Sequence, residues 1–218
     1  MKPDLSLDKF HILSQSKELN ESTQFYLALG LVQVNDKIFS DGSACIELRD
    51  HCQNIPSIYI EAHNDQDVFN HYQDLGIIFD CSSTENGDTE LFFTDPNGLS
   101  IFLGEKTARH ELPNQSSCTI LELSQSTKHY VDSINFWVQL GATCDAMRSD
   151  YPRTLLRNKP LLLGLHDNSK YKGQGLIISI KKEAIQKLKK LGTPLMKNSN
   201  GSFLCFSPDG LQFTLSLA

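Results

Sequence analysis

Short segments in which apolar and polar residues alternate singly are separated by stretches with the wider apolar spacing of a helix. Lys9–Gln15 (KFHILSQ) sets Phe10 and Ile12 on one face and His11, Leu13 and Gln15 on the other, the pattern of a half-buried strand. A helix follows with Phe25, Ala28 and Leu29 inward, capped within residues 20–23 (NEST) and stopped by Gly30. Strands are expected at 31–34 and 44–49, parted by the turn-rich Ser40, Asp41 and Gly42. In the second, Ala44, Ile46 and Leu48 oppose Cys45, Glu47 and Arg49. The order then returns. Ile58, Ile60 and Ala62 alternate with Ser57, Tyr59, Glu61 and His63. A helix capped by Asp65 or Asp67 carries Val68, Phe69, Tyr72 and Leu75 and closes at Gly76, and strands are expected at 77–80 and 91–103.

The second half restates the first. A strand at 119–124 precedes a helix bearing Ile134, Phe136, Trp137 and Val138 that ends at Gly141. Strands at 154–165, interrupted by Pro160, lead to a loop at 166–173. Leu176, Ile178 and Ile180 share a strand face before a Lys-rich helix with Ile185, Leu188 and Leu191 inward, closed by Gly192. Residues 91–105 (LFFTDPNGLSIFLGE) match 204–218 (LCFSPDGLQFTLSLA): Pro96, Gly98, Leu99 and Leu103 meet Pro208, Gly210, Leu211 and Leu215 at a constant spacing of 112 residues. Asp-Pro-Asn-Gly is turn chemistry, with Asp opening, Pro presetting φ and Gly closing. A chain of 218 residues built this way divides into two domains, 1–105 and 117–218, joined by a polar linker at 106–116.

Charge sharpens the division. Residues 1–105 hold 5 Lys/Arg and 18 Asp/Glu, a net −13, and residues 106–218 hold 15 and 8, a net +7. Opposite signs favour docking of the halves, and the acidic total speaks against nucleic acid. No apolar run has the length of a membrane span and the first ten residues carry no secretory pattern, so a cytoplasmic location with no membrane partner is expected. Six cysteines without a C-x-x-C pair read as reduced thiols rather than a zinc or redox motif.

The repeated module of strand, helix and three strands, the FY-x-x-LG helix end at 25–30 and the DPNG and SPDG hairpins resemble the vicinal oxygen chelate superfamily. That superfamily includes glyoxalases, bleomycin-resistance proteins and extradiol dioxygenases. The resemblance covers 8–105 and 117–218. It implies an α+β fold of four βαβββ modules forming two glyoxalase-like domains, with cupped mixed sheets and helices on the outer faces. It implies a site on the concave face and, in catalytic members, a divalent metal such as Zn, Ni, Mn or Fe.

Carried over residue by residue, the resemblance puts metal-ligand positions at His11, Glu47, Ser57 and Phe102 in the first half. In the second it puts them at Glu122 and near Gly164, Gly173 and Thr214. Glu122 is matched to His11 because Leu121 and Leu123 then share the core face. His11 and Glu47 are metal-ligand types, or an acid–base pair without metal, but a catalytic metal wants three protein ligands and an open position. Glu61 and His63, on Ser57's face, are the further donors at hand. Phe102 turns a ligand position into an apolar wall suited to a flat molecule. Arg148, Arg153 and Arg157 read as surface charge, with the lining of the second half's opening toward an acidic ligand as the alternative, and Trp137 and Tyr26 read as core.

The expectation is therefore a protein that binds a small organic molecule in a concave cleft with no resident cofactor, using Ser57, Glu61, Phe102, Glu122 and Thr214. The alternatives are a metal-dependent lyase or dioxygenase working through His11 and Glu47, and a non-catalytic interaction module with filled clefts. An internal pseudo-dimer favours a monomer. Whether modules pair within or across the halves stays open.

Overall fold

The computed structural model describes residues 9–50, 56–62, 65–83, 89–105, 116–148, 153–158, 161–169 and 171–218. The first half runs β1 (Lys9–Gln15), α1 (Leu19–Leu29), β2 (Val32–Gln33), β3 (Ile38–Ser40), β4 (Cys45–Arg49), β5 (Ser57–Ala62), α2 (Asp65–Asp74), β6 (Asp80–Ser83), β7 (Thr89–Thr94) and β8 (Ser100–Glu105). The second runs β9 (Cys118–Thr127), α3 (Tyr130–Gln139), β10 (Thr143–Arg148), β11 (Arg153–Asn158), β12 (Leu161–Asp167), β13 (Gln174–Ile180), α4 (Lys182–Lys190), β14 (Met196–Lys197), β15 (Phe203–Phe206) and β16 (Gln212–Leu217).

Each half forms one eight-stranded mixed sheet. The first has the order β2-β3-β4-β1-β5-β8-β7-β6 and the second the matching order β10-β11-β12-β9-β13-β16-β15-β14. In both, the middle of the sheet alternates a parallel, an antiparallel and a parallel pairing: β1 with β4, β1 with β5 and β5 with β8 in the first. The expected mixed α+β architecture is thus present, and the two modules of a half share a sheet. One face of each sheet packs on helices. Ile12, Ile46, Ile58 and Ile101 join Phe25 and Tyr26 of α1 in a single apolar cluster, which continues through Leu123, Trp137, Ile178 and Phe213 of the second half. No helix among the described residues is long and apolar enough to cross a membrane.

The halves are tied together by their repeated turns. The third residue of each reaches into the opposite half. Asp209 accepts hydrogen bonds from Tyr26 Oη at 2.7 Å and Ser22 Oγ at 3.1 Å, and also from Ser14. Reciprocally, Asn97 donates to Ser133 Oγ at 2.9 Å, and Trp137 Nε1 donates to Asp95 at 3.3 Å. Phe213 of β16 packs on Phe25 of α1 with ring centroids 5.4 Å apart. Tyr26 titrates well above the ordinary phenol range because it is buried and faces Asp209. Burial likewise lifts Asp95 above the usual carboxylate range, against five donated hydrogen bonds including those from the Leu99 and Asn97 amides.

Several local expectations change. Residues 20–23 lie inside α1 rather than capping it: its N-cap is Glu18, which makes no side-chain cap bond, and Ser22 is spent on Ser16 and Asp209. Gly30 does end the helix, at φ 105°. The strand expected at 77–80 begins only at Asp80, because the Ile77 amide closes the helix on Tyr72 O at 3.0 Å. The strands β3, β10 and β14 lie outside the expected set, and β12 extends through His166 and Asp167 into the expected loop. Leu121 is not core. It is the extra residue of a β-bulge, since Ile177 pairs with Glu122 and Ile178 with Ile120, and it is 42% exposed. Leu191 is likewise exposed. Cys45, Cys118 and Cys205 are buried free thiols, the latter two raised by burial to about 11 and about 12.

Candidate functional site

The sheet face turned away from the helices carries the candidate residues, and period-two alternation decides which they are. In the first half β1 contributes His11 and Leu13, β4 Glu47 and Arg49, β5 Ser57 and Tyr59, β7 Glu90 and Phe92, and β8 Phe102. His11 Nδ1 lies 2.8 Å from Glu47 Oε2, and Glu47 Oε1 accepts from Arg49 Nε at 2.8 Å. Arg49 then donates to Glu90 Oε2 at 2.7 Å. Burial works against ionisation of Glu47, but the His11 hydrogen bond and the Arg49 charge outweigh it and hold the carboxyl below its ordinary range. Burial would lower Arg49, and the facing charges of Glu47 and Glu90 raise it instead.

The Arg49–Glu90 contact also fixes the shape of the sheet. β4 and β7 are four strand spacings apart, roughly 19 Å on a flat sheet. Two side chains cannot bridge that distance, so the sheet curls into a cup and Arg49 clasps one side to the other. Beneath the clasp the guanidinium lies 5.1 Å from the Tyr59 ring centre and 5.8 Å from that of Phe102, within cation–π range. Phe102 stacks on Phe92 at 5.2 Å, and with Leu13 these side chains form a second, smaller apolar cluster. Gly104 leaves room for the Tyr59 hydroxyl, which a Cβ there would strike. Leu13, Ser57, Phe92 and Phe102 are all buried, so the first cup is filled by its own side chains.

The second half rebuilds the same chemistry from different positions. Glu122 on β9 stands where His11 stands on β1, each lying opposite the equivalent residue of the next strand, Ile177 and Tyr59. Gly164 takes the place of Glu47 and His166 that of Arg49, by the pairing of β12 with β9. Glu122 is 2% exposed, and its Oε1 meets His166 Nε2 at 2.9 Å and accepts from Ser124 Oγ at 2.6 Å. Its other oxygen is paired with Arg153 of β11. Burial raises the Glu122 carboxyl, and the hydrogen bonds from His166 and Ser124 with the Arg153 charge bring it below the ordinary range. His166 stacks on Tyr171 at 4.6 Å, and Gln212 Nε2 donates to Tyr171 Oη at 3.2 Å.

The remainder of this second face is open. Ile177, Leu204, Gln212 and Thr214 are half-buried, and Phe206 is 47% exposed. Its ion cluster comes from the neighbouring strands β11, β12 and β9 and does not bridge the sheet. Beside the bulge, a crevice of about 170 Å³ runs between the halves, lined by Ile12, Ala44, Ile120, Leu121, Glu122 and Arg157 among others.

Of the residues singled out from sequence, His11 and Glu47 meet each other, and Ser57 and Phe102 lie on the same face. Glu122 and Thr214 share the second face. Glu61 belongs to β5, but its side chain, His63 and the Arg148 side chain lie outside the described residues, as do 106–115 of the linker and Cys52. Arg153 is a correction: it is the partner of a buried carboxylate rather than surface charge. Arg49, Glu90, His166 and Tyr171 were not singled out. Arg49 lies two residues after Glu47 on the same strand face, which is the one signal that would have found it.

The donor set does not fit a divalent metal. His11 and Glu47 are bonded to each other, Arg49 occupies the second Glu47 oxygen, and Phe102 is apolar. Among the described residues no group of three or more His, Cys, Asp or Glu is placed to hold one.

No protein-family model matches the sequence, and no curated protein matches it. Solved structures do match the fold. A catechol 2,3-dioxygenase aligns with a TM-score of 0.62 at 12% identity, over 98% of this chain and 88% of that one. The Mn(II)-bound glyoxalase from Novosphingobium aromaticivorans aligns at 0.60 and 14%, over 97% and 82%. Homoprotocatechuate 2,3-dioxygenase from Arthrobacter globiformis aligns at 0.60 and 13%, over 100% and 83%. The chain therefore has the fold shared by extradiol-type dioxygenases and glyoxalases.

Proposed function

We propose that this protein binds a small organic molecule in the concave cleft of its second half, without a metal ion. The observation that carries the reading is the contrast between the faces. In the first half Phe102 is buried beneath the Arg49 clasp, whereas the equivalent Thr214 is half-buried on an open face beside Ile177, Gln212 and Phe206. Apolar walls with a few convergent polar groups are what small-molecule sites present. Here the walls are Ile177, Leu204 and Phe206, and the polar end is Arg153, Glu122 and His166 with Tyr171 stacked beside it. In this reading the protein works as a cytoplasmic monomer, and the clasped first half serves as a scaffold.

The test is a metal inventory of freshly purified protein together with NMR titration of small planar aromatic compounds. The expected result is substoichiometric metal and saturable shifts centred on β13, β15 and β16 and reaching Glu122, Arg153 and His166 at the polar end, with affinity falling about tenfold in Phe206→Ala. One Zn, Ni, Mn or Fe per chain sinks this reading, as does binding that ignores Phe206. That metal result would favour a second reading, a metal-dependent lyase or dioxygenase using His11 and Glu47, which the fold shared with dioxygenases and a Mn(II)-bound glyoxalase supports. The filled first cup supports a third, a non-catalytic interaction module.

A further inference from the structure

We propose that Arg49 is the resident cation of the first half, and that it keeps divalent metal ions out of a donor set formed by His11, Glu47 and Glu90. An imidazole and two carboxylates are ligands that Mn, Fe and Zn accept. What stands among them is a guanidinium, with Nε 2.8 Å from Glu47 and a terminal nitrogen 2.7 Å from Glu90. His11 takes the remaining Glu47 oxygen. Arg49 thus does two things a metal ion would do: it neutralises converging carboxylates and ties β4 to β7 across the cup. It also holds Glu47 and Glu90 apart by its own width, which prevents their closing on a single ion. Tyr59 and Phe102 stack against the guanidinium and keep it in place. Side-chain exposures of 19% for Arg49 and Glu90 and 20% for Glu47 leave an ion a path to the donors once the guanidinium is removed.

The second half supplies the internal control. There Arg153 neutralises Glu122 in the same way, but among the described residues only Glu122 and His166 remain as donors if it is removed. Two ligands are too few for a specific site.

The experiment titrates Mn(II) into wild type, Arg49→Met, Arg49→Lys and Arg153→Met, by calorimetry and by thermal melts with and without MnCl₂. Arg49→Met is expected to gain one Mn(II) per chain, bound at least about tenfold more tightly than by wild type or Arg49→Lys. The gain should vanish when Glu90→Gln is added, and Arg153→Met should show none. Should Arg49→Met fold poorly, Mn(II) is expected to raise its melting temperature and leave that of wild type unchanged. Wild type binding Mn(II) as tightly as Arg49→Met overturns the proposal. So does an Arg49→Met protein that neither binds Mn(II) nor is stabilised by it, or a gain that survives Glu90→Gln. The ligand test of the second half stands or falls separately, because it reads different residues.

Discussion

The Glu122 carboxylate fills the space that a side chain at position 164 would otherwise occupy. A Cβ on Gly164 would strike Glu122 Oε1 and come within 3.0 Å of His166 Nε2. In the first half the equivalent residue is Glu47, which supplies the carboxylate itself and reaches back to His11. A carboxylate between an imidazole and a guanidinium therefore occurs twice, once from β4 toward β1 and once from β9 toward β12. The bulge at Leu121, immediately before Glu122, has no counterpart in the pairing of β1 with β5.

Gly164→Ala is expected to lose about 1–3 kcal/mol of stability in urea unfolding, the range of overpacking a close-packed site. The same substitution in a Glu122→Ala background should cost almost nothing. Equal costs in the two backgrounds would show that the glycine serves some other purpose.

The double occurrence explains what the sequence could and could not disclose. Strand alternation places His11, Glu47, Ser57, Phe102, Glu122 and Thr214 on one face of their sheets, because a period of two is a local property of five to ten residues. The partnerships are not local. Arg49 meets Glu90 only because the sheet curls, and Arg153 meets Glu122 through a strand that has no repeat-equivalent arginine. The strands β3 and β10 escape pattern reading for a related reason, since Ile38–Ser40 is buried at every position and the alternation of Thr143–Arg148 breaks at Met147. Ser22 reads as a cap because Ser favours caps, but Asp209, 187 residues away, claims its hydroxyl.

Burial should separate the two arginines. Arg153→Met strands Glu122, which is 2% exposed, and is expected to cost about 3 kcal/mol, as removal of one partner from a buried pair does. Arg49→Met leaves Glu47 and Glu90 one-fifth exposed, where water supplies much of the loss, and about 1 kcal/mol is expected. Chemical denaturation of both variants at neutral pH checks the order, and a larger loss for Arg49→Met would contradict it.

The turn latch between the halves should behave as a coupled unit. Tyr26→Phe removes a buried hydrogen bond to a carboxylate and is expected to cost about 1.5–3 kcal/mol. Asp209→Asn weakens the same bond, so the double variant should be less destabilised than the sum of the two singles, with a coupling above about 0.5 kcal/mol. Strict additivity in that cycle would mean that Tyr26 and Asp209 contribute independently.

Acid should loosen the protein through the two paired glutamates. Glu47 and Glu122 have folded-state values below the ordinary carboxylate range, so their contribution is fully present above the unfolded value of about 4.3. It is lost as the pH falls through the depressed folded values. Asp95 is shifted the other way: its contribution is present below the unfolded value and lost as pH rises through the raised one, which opposes the first trend. The paired glutamates carry the expected fall in stability on acidification, and Asp95 subtracts from it. Urea midpoints measured between neutrality and about pH 3 should therefore decline for wild type, with Glu122→Gln less stable at pH 7 and converging on wild type at the acid end. Asp95→Asn should steepen the decline, because the opposing group is gone. A Glu122→Gln curve parallel to wild type would mean that the carboxylate is not held by His166 and Arg153 in solution.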